Sequence, residues 1–403
     1  MSEKIQVLFV DDEPNILNGL KRLMRGQREE WEMNFCSSGQ EALDLLARQT
    51  MDVVVSDMRM PGMDGAQLLD QVRKLFPGTI RVILSGYADS ESVLRTVGPA
   101  HVYLAKPCDP LMLKDAITRP LALRKRLSCP EMRTLLAGLT SLPSLPDVFL
   151  NLQAELQSPR SSAASVAEII SRDVAMTAEI LRLTNSAYFS TPAKVTSPLL
   201  AVRTLGLEII QSLVLRIGIF RQFSGSSNVV PLLQELNDYS LSISKLAEAI
   251  AKSENMEHFI VTSAQCAGML SSIGILVLLD AKGSQYHDLL RQLGPKGALH
   301  RAEFETFGLT HNLIGAYLLS LWGFSDAVIE AVAFAPEPGN AEGGENPALT
   351  AVHAAQSLGP RFPELPNGAE GLDMLDYDYI SKIKRHDRIE TWRALAEQLK
   401  AKE

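Results

Sequence analysis

Five residues of this 403-residue chain could do chemistry together, and each follows a short apolar run. Asp11 and Asp12 come after IQVLFV (5–10), Asp57 after DVVVS (52–56) and Ser85 after IRVIL (80–84), while Lys106 stands two residues beyond HVYL (101–104). Three carboxylates brought to one place repel one another unless a cation joins them, and an all-oxygen set with room for water suits Mg²⁺. An aspartate beside that ion can attack a phosphoryl group, with a lysine and a hydroxyl to neutralise and hydrogen-bond the transferred oxygens. The set holds every part needed to form an aspartyl phosphate. Taken singly, Asp11, Asp57 and Ser85 also read as N-caps of the helices that follow them, a frequent role for these residue types.

Whether the five meet depends on the elements that carry them. The four runs, with a weaker one near MNFC (33–36), read as buried strands. Between them, apolar residues at three- and four-residue spacing predict helices near 14–25, 39–48, 64–75 and 89–97, with a fifth from Leu111. This alternation implies an α/β doubly wound five-stranded parallel sheet, whose chemistry sits beyond the carboxyl ends of the strands. From residue 130 onward strand signals nearly vanish, and SVAEIISRDVAMTAEILRL, LEIIQSLVLRIGIF, QELNDYSLSISKLAEAIAK and HNLIGAYLLSLW read as helices of an all-α region. PEPGNAEGGENP (336–347) reads as a surface loop. Pro120 forbids one uninterrupted helix from 111 to 127 but suits the first turn of a second helix, which predicts a jointed linker. The expected division is 1–120, a helical linker over 121–138, and 139–403.

Composition narrows the function. With 46% hydrophobic and 21% charged residues the chain is of ordinary globular type. A net charge of −8 argues against general nucleic-acid binding, which needs clustered Lys and Arg. Cys36, Cys108, Cys129 and Cys266 form no C-x-x-C pair, so no zinc ribbon or disulfide framework is expected and a reducing cytoplasm fits. The N-terminal apolar run is too short for a signal peptide, and no apolar stretch reaches the ~18 residues of a membrane span, so a soluble cytoplasmic protein without membrane partners is expected.

Together with Lys106-Pro107 and the loop DMRMPGMDG (57–65), the strand-end residues closely resemble the receiver domain of bacterial response regulators, over residues 4 to about 120. The resemblance implies that Asp57 is the phosphoacceptor and Lys106 the phosphate-binding cation. It implies a Mg²⁺ site in which Asp12 is a direct ligand, Asp11 a supporting acid, and Asp57 and the backbone carbonyl of Arg59 complete the set. Ser85 becomes the switch hydroxyl and Tyr103 the switch aromatic. Glu13 is expected in solvent and the Lys106-Pro107 bond cis. The implied partner is a histidine kinase or a phosphotransfer protein.

LPSLP (142–146), IISRDVAMTAEILRLTNSAYF (169–189), AVRTLG (201–206) and FGLTHNLIGAYLLSLWGF (307–324) resemble the HDOD domain, a relative of the HD metal-dependent phosphohydrolases. In those enzymes the helix resembling AGMLSSIGILVLL carries a His-Asp metal-binding pair, and here the pair is Ser271-Ser272. Neutral hydroxyls are poor ligands beside imidazole and carboxylate. The reading is a noncatalytic output domain with no cofactor of its own, binding a protein target, with homodimer formation left open. Two alternatives stand beside it: a receiver-controlled HD-type phosphodiesterase, and an HDOD domain that binds a nucleotide second messenger. His311 is expected as a hydrogen-bonded core residue, Arg172-Asp173 as a local ion pair, and His287-Asp288 and His386-Asp387 as helix-surface pairs. Asn185 and Ser186 read as helix caps, with a polar recognition spot as the alternative. Ser271-Ser272, with Ala267, Gly268 and Gly274, reads as a small-residue patch inside one buried helix, its hydroxyls bonding carbonyls one turn back.

Overall fold

The computed structural model describes residues 4–86, 99–127, 129–139, 141–186, 194–214, 220–223, 229–293, 298–341, 345–362 and 374–401. The chain divides into two compact units, one built mainly on residues 1–140 and the other on most of the remainder.

The first unit is a parallel sheet of β1 (Ile5–Val10), β2 (Trp31–Cys36), β3 (Val53–Asp57), β4 (Ile80–Ser85) and β5 (Val102–Ala105), in the order β2-β1-β3-β4-β5. Val7 lies opposite Val53, Val53 opposite Ile80, and Val82 opposite Val102. Every residue of β3 and β4 is buried, which explains their unbroken apolar runs: a parallel strand covered on both faces has no solvent side to alternate with. β2 is an edge strand with Glu32 exposed, so its first half, Trp31-Glu32, carries a polar residue that hid it from the apolar pattern.

Helices α1 (Pro14–Leu23), α2 (Gly39–Leu46) and α3 (Gly65–Leu75) connect the strands. Asp64 starts α3 with a reciprocal cap, its carboxylate accepting from the Gln67 amide at 2.8 Å while the Gln67 side chain accepts from the Asp64 amide at 3.0 Å. The expected helix over 89–97 lies outside the described residues.

The jointed linker is corrected. Helix α4 (Pro110–Arg126) runs unbroken through Pro120, and α5 (Pro130–Gly138) follows it. Pro120 removes one backbone donor, a loss the helix tolerates because the ring is buried on the same face as Leu113, Ile117 and Leu121. The break between helices falls after Arg126 instead.

Among the described residues, the second unit's regular elements are helices apart from a short parallel pairing of Pro143–Ser144 with Arg221–Gln222, where the LPSLP stretch supplies one strand. Its 169–189 motif splits at Asp173 into helices Ala163–Ile170 and Val174–Thr184. Arg172 and Asp173 are not an ion pair. Arg172 binds Glu168 at 2.6 Å on the surface, whereas Asp173 is buried and accepts from the Leu145 and Met176 amides, both at 2.9 Å. Burial pushes the Asp173 carboxyl up to about 6, against the lowering effect of those bonds. Asn185 and Ser186 follow the last turn of Val174–Thr184, and residues 187–193 lie outside the described residues. Within 336–347, Pro338–Asn340 forms a 3₁₀ turn with Pro338 buried.

The serine pair does not lie inside a single helix. His258–Leu270 ends at Ser271, and a second helix, Ile273–Lys282, starts after Ser272. The Ser271 hydroxyl donates to the Gly268 carbonyl at 2.9 Å, and the Ser272 hydroxyl bonds Ser240 of the helix Val230–Ser253. Such hydroxyls offer the backbone and its neighbours alternatives to helical bonds, which fits a break at this point. Close approach is real: a Cβ on Gly268 would lie 2.9 Å from Ser244 Cα, and one on Gly274 1.9 Å from the His311 carbonyl oxygen. His258–Lys282 together have the length and apolar content of a membrane span, but 83% of that apolar window is buried inside the protein, as in a core helix.

Gly65 fixes the start of α3 against the sheet, since a Cβ there would sit 2.1 Å from the Asp57 carbonyl oxygen. Gly65→Ala is therefore expected to lower stability by about 1–3 kcal/mol in urea unfolding of the full chain. Gly19→Ala is the control, because a Cβ in that helix meets nothing within 4 Å, and it should be neutral or stabilising by about 0.5–1 kcal/mol.

Candidate functional site

Parallel strands bring their carboxyl ends to one edge, and that edge assembles the predicted residues. Asp11 directly follows β1, Asp57 ends β3, Ser85 ends β4 and Lys106 directly follows β5. The Lys106 ammonium donates to Asp11 Oδ2 at 2.6 Å and to Asp57 Oδ1. The remaining oxygens are held by the backbone: Asp57 Oδ2 accepts from the Arg59 amide at 2.6 Å and Asp11 Oδ1 from the Glu13 amide at 2.9 Å. The Lys106 amide donates to the Ser85 carbonyl at 2.7 Å, which ties the lysine's backbone to β4. Burial works against the Lys106 charge, but its bonds to Asp11 and Asp57 outweigh burial and raise its pKa. The lysine is a permanent cation between two buried carboxylates.

Asp12 is half-buried and makes no hydrogen bond or ion pair among the described residues; the side chain of Arg59 is exposed, as is Glu13. Three carboxylates and a backbone carbonyl are the hard oxygen donors that Mg²⁺ takes, so the residues present fit that ion chemically. Among the described residues no three His, Cys, Asp or Glu groups converge closely enough to hold a metal as they stand. At this edge Lys106 fills the space between Asp11 and Asp57. The Ser85 hydroxyl donates to the Gly86 carbonyl at 3.0 Å, and Tyr103 is buried in the sheet core, opposite Ile83 in register. The two expected switch residues are not hydrogen-bonded to each other. The Lys106-Pro107 bond is cis.

Two buried clusters had no place in the sequence motifs. At the amino ends of β4 and β5, Arg81 is fully buried and donates from Nε to the Pro99 carbonyl at 2.6 Å, from Nη1 to Thr79 at 3.1 Å and from Nη2 to Ala137 at 2.7 Å. His101 Nδ1 accepts from the Arg81 amide at 3.1 Å, and its Nε2 lies 2.8 Å from the Ala137 carbonyl and 2.7 Å from Arg81 Nη2. Burial, then the Arg81 charge, push the His101 pKa well below its ordinary value. The cluster anchors the end of α5. A charge inside IRVIL was the available signal, because a buried strand carries an arginine only when it is fully bonded.

In the second unit, the fully buried carboxylate of Glu303 accepts from the Tyr286 hydroxyl, from the His311 amide at 2.8 Å and from His311 Nδ1 at 2.7 Å. His311 is thus a bonded core residue, as expected, with a partner eight positions upstream that no motif pointed to. His353, also buried, bonds the Ala335 carbonyl at 2.7 Å through Nδ1 and accepts from the Asp376 amide at 2.9 Å. His386 and Asp387 are exposed, Asp288 is exposed and His287 half-buried.

Comparison with known proteins decides the family. Residues 7–118 match the response regulator receiver domain and residues 142–338 the HDOD domain, together about three quarters of the chain. The chain is a response regulator with an HDOD domain. It is similar to the hydrogenase transcriptional regulatory protein HoxA of Cupriavidus necator, 33% identical over 187 residues, covering 43% of this chain and 38% of that one. The transcriptional regulatory protein GlrR of Escherichia coli is 36% identical over 119 residues, 29% of this chain and 26% of that one. The response regulator therefore spans well under half the length of these curated relatives. Among solved structures, a fragment of the MmoQ response regulator of Methylococcus capsulatus is 24% identical, over 54% of this chain and 84% of that one, with a TM-score of 0.43.

The His101 cluster gives a pH dependence. A histidine whose folded pKa lies below its unfolded value binds protons more readily when unfolded, so its contribution is complete above about 6.5 and falls away as pH drops below it. His101→Gln is expected to be less stable at neutral pH by about 1–3 kcal/mol and to lose less than the wild type between pH 6.5 and 5, measured by urea unfolding at each pH.

Proposed function

We propose that a histidine kinase or phosphotransfer protein phosphorylates this response regulator at Asp57, and that the modification controls a noncatalytic HDOD domain whose target is another protein. The observation that carries the reading is the Lys106 ammonium between Asp11 and Asp57 at the carboxyl edge of the sheet. A carboxylate oxygen so placed is a nucleophile with its counter-charge already in position for the incoming phosphoryl oxygens. Mg²⁺, bound by Asp12, Asp57 and the Arg59 carbonyl with Asp11 in support, would offset phosphoryl charge during transfer. The Arg59 amide orients the Asp57 carboxylate, and Lys106 receives the added negative charge. Ser85, now turned to the Gly86 carbonyl, is the hydroxyl able to swing toward a modified Asp57, and Tyr103 packs two strand positions behind it on the neighbouring strand.

For the HDOD domain, what supports a noncatalytic role is the use already made of the serine pair. Ser271 and Ser272 are buried and spend their hydroxyls on Gly268 and Ser240 at a helix junction. The bonds of Ser271 and Ser272 build packing rather than a metal-ligand pair.

The full chain is expected to take label from acetyl phosphate only with Mg²⁺ present, and Asp57→Asn to take none. Equal labelling of the variant would place the phosphoacceptor elsewhere. The same preparation should hydrolyse no cyclic dinucleotide with added manganese or iron; turnover lost on changing His311 would restore the phosphodiesterase reading.

A further inference from the structure

His353 lies in the helix Pro347–Leu358, almost wholly removed from water, and both of its ring nitrogens are committed. Nδ1 faces the Ala335 carbonyl at 2.7 Å, and Nε2 faces the Asp376 amide at 2.9 Å. A carbonyl only accepts and an amide N–H only donates, so the ring proton is on Nδ1 and the lone pair on Nε2. His353 holds both partners only as the neutral ring. A second proton would set an N–H against the Asp376 N–H and leave a cation out of reach of water.

The Nε2 bond holds one end of the segment 374–401. Asp376 caps the helix Tyr377–Lys382 by accepting from the Tyr379 amide at 2.9 Å, and the Tyr379 hydroxyl meets that of Thr350, on the helix that carries His353, at 2.7 Å. The Tyr379 ring stands edge-on to the imidazole, with centroids 6.1 Å apart. Farther along, the Glu254 carboxylate, its side chain 2% exposed, receives Arg385 at 3.1 Å, Arg388 at 2.7 Å and the Trp392 indole at 3.0 Å. The segment is thus fixed at two places, one through a histidine and one through a carboxylate.

We propose that His353 is a proton-operated latch: as the neutral ring it holds the helix Tyr377–Lys382 on the helical unit, and on protonation it releases that helix while Glu254 keeps the helix Ile389–Lys400 in place. The held state favours the neutral ring and the released state takes the proton freely, so the hold is complete above about pH 6.5 and weakens as pH falls below it. Release uncovers Leu375, Tyr379 and Ile380, which are buried in the held state. The surrounding charges do not replace the lost bond. Asp376 is turned to the Tyr379 amide, Glu330 to Asn346 at 3.0 Å, and Glu337 to His300 at 3.5 Å and Arg301 at 3.7 Å; the charge of Glu345 is felt at Tyr379. On the core helices packed against Pro347–Leu358, burial pushes the Cys266 thiol up to about 12 and raises the Tyr239 phenol as well, so neither changes charge between pH 5 and 7. His386, exposed beside Tyr377 with ring centroids 6.3 Å apart, is the other histidine of the segment. The latch does not depend on the role of Asp57.

The test is amide hydrogen exchange of the full chain, read peptide by peptide at pH 7 and 5.5 and corrected for the intrinsic pH dependence of exchange. A local readout is needed because unfolding of the whole chain also responds to His101 and Asp173. Protection over 376–383 is expected to fall about tenfold between the two pH values, the ratio set by one proton taken up below about 6.5, while 389–400 keeps its protection. His353→Gln carries a side chain that stays neutral at both pH values and should abolish the fall. If that variant does not fold, His386→Gln decides, because changing an exposed ring leaves the core intact and should preserve the fall in full. Equal protection of 376–383 at pH 7 and 5.5 in the wild type, a fall as large in His353→Gln, or its loss in His386→Gln would overturn the proposal.

Discussion

The receiver edge depends on one ammonium shared between two buried carboxylates. Asp11 and Asp57 are almost removed from water, and two like charges so placed would repel by several kcal/mol at the effective dielectric of a protein surface. Lys106 makes the arrangement stable by pairing with both. Everything else at the edge serves that contact. The parallel register brings the ends of β1, β3 and β5 level, the Arg59 and Glu13 amides hold the outer carboxylate oxygens, and Gly65 lets α3 begin hard against the Asp57 carbonyl. A new negative group on Asp57 would redistribute the charge that Lys106 now balances, which is how a local modification biases a two-state element.

The strands nearest that edge also carry the buried arginine cluster. β4 ends in Ser85 and has Arg81 near its start; β5 leads to Lys106 and is preceded by His101. Arg81 and His101 both bond the Ala137 carbonyl at the end of α5, so two adjacent strands hold the site at one end and the helix leading out of the receiver at the other. In the HDOD unit the polar groups follow a different logic. Ser240, Ser271, Ser272, Tyr286, Glu303 and His311 are bonded among themselves or to nearby backbone, in helices close enough that Gly268 and Gly274 are needed at their crossings.

Much of this was legible in the chain. Continuous apolar runs marked β1, β3, β4 and β5 because parallel strands buried on both faces leave a direct imprint, and the acidic, hydroxyl and lysine residues after them marked the edge. Position in sequence was less informative where one rule opposed another. Pro120 signalled a joint, but burial with Leu113, Ile117 and Leu121 outweighed one missing hydrogen bond. The apolar run 267–280 hid its break at Ser271-Ser272, since hydropathy has no term for a hydroxyl bonding Gly268 or a facing helix. Glu303 left no trace because a lone glutamate in an amphipathic helix usually faces water; only the fold shows that Tyr286 and His311 meet it in the core.

The bridging role of Lys106 is most directly tested by the Mg²⁺ affinity of the full chain with Lys106 intact and as Lys106→Met. If the ammonium is the resident counter-ion between Asp11 and Asp57, removing it leaves two carboxylates that a divalent cation alone can neutralise, and Mg²⁺ should bind about tenfold more tightly. Equal or weaker binding in the variant would mean that Lys106 does not compete for that charge.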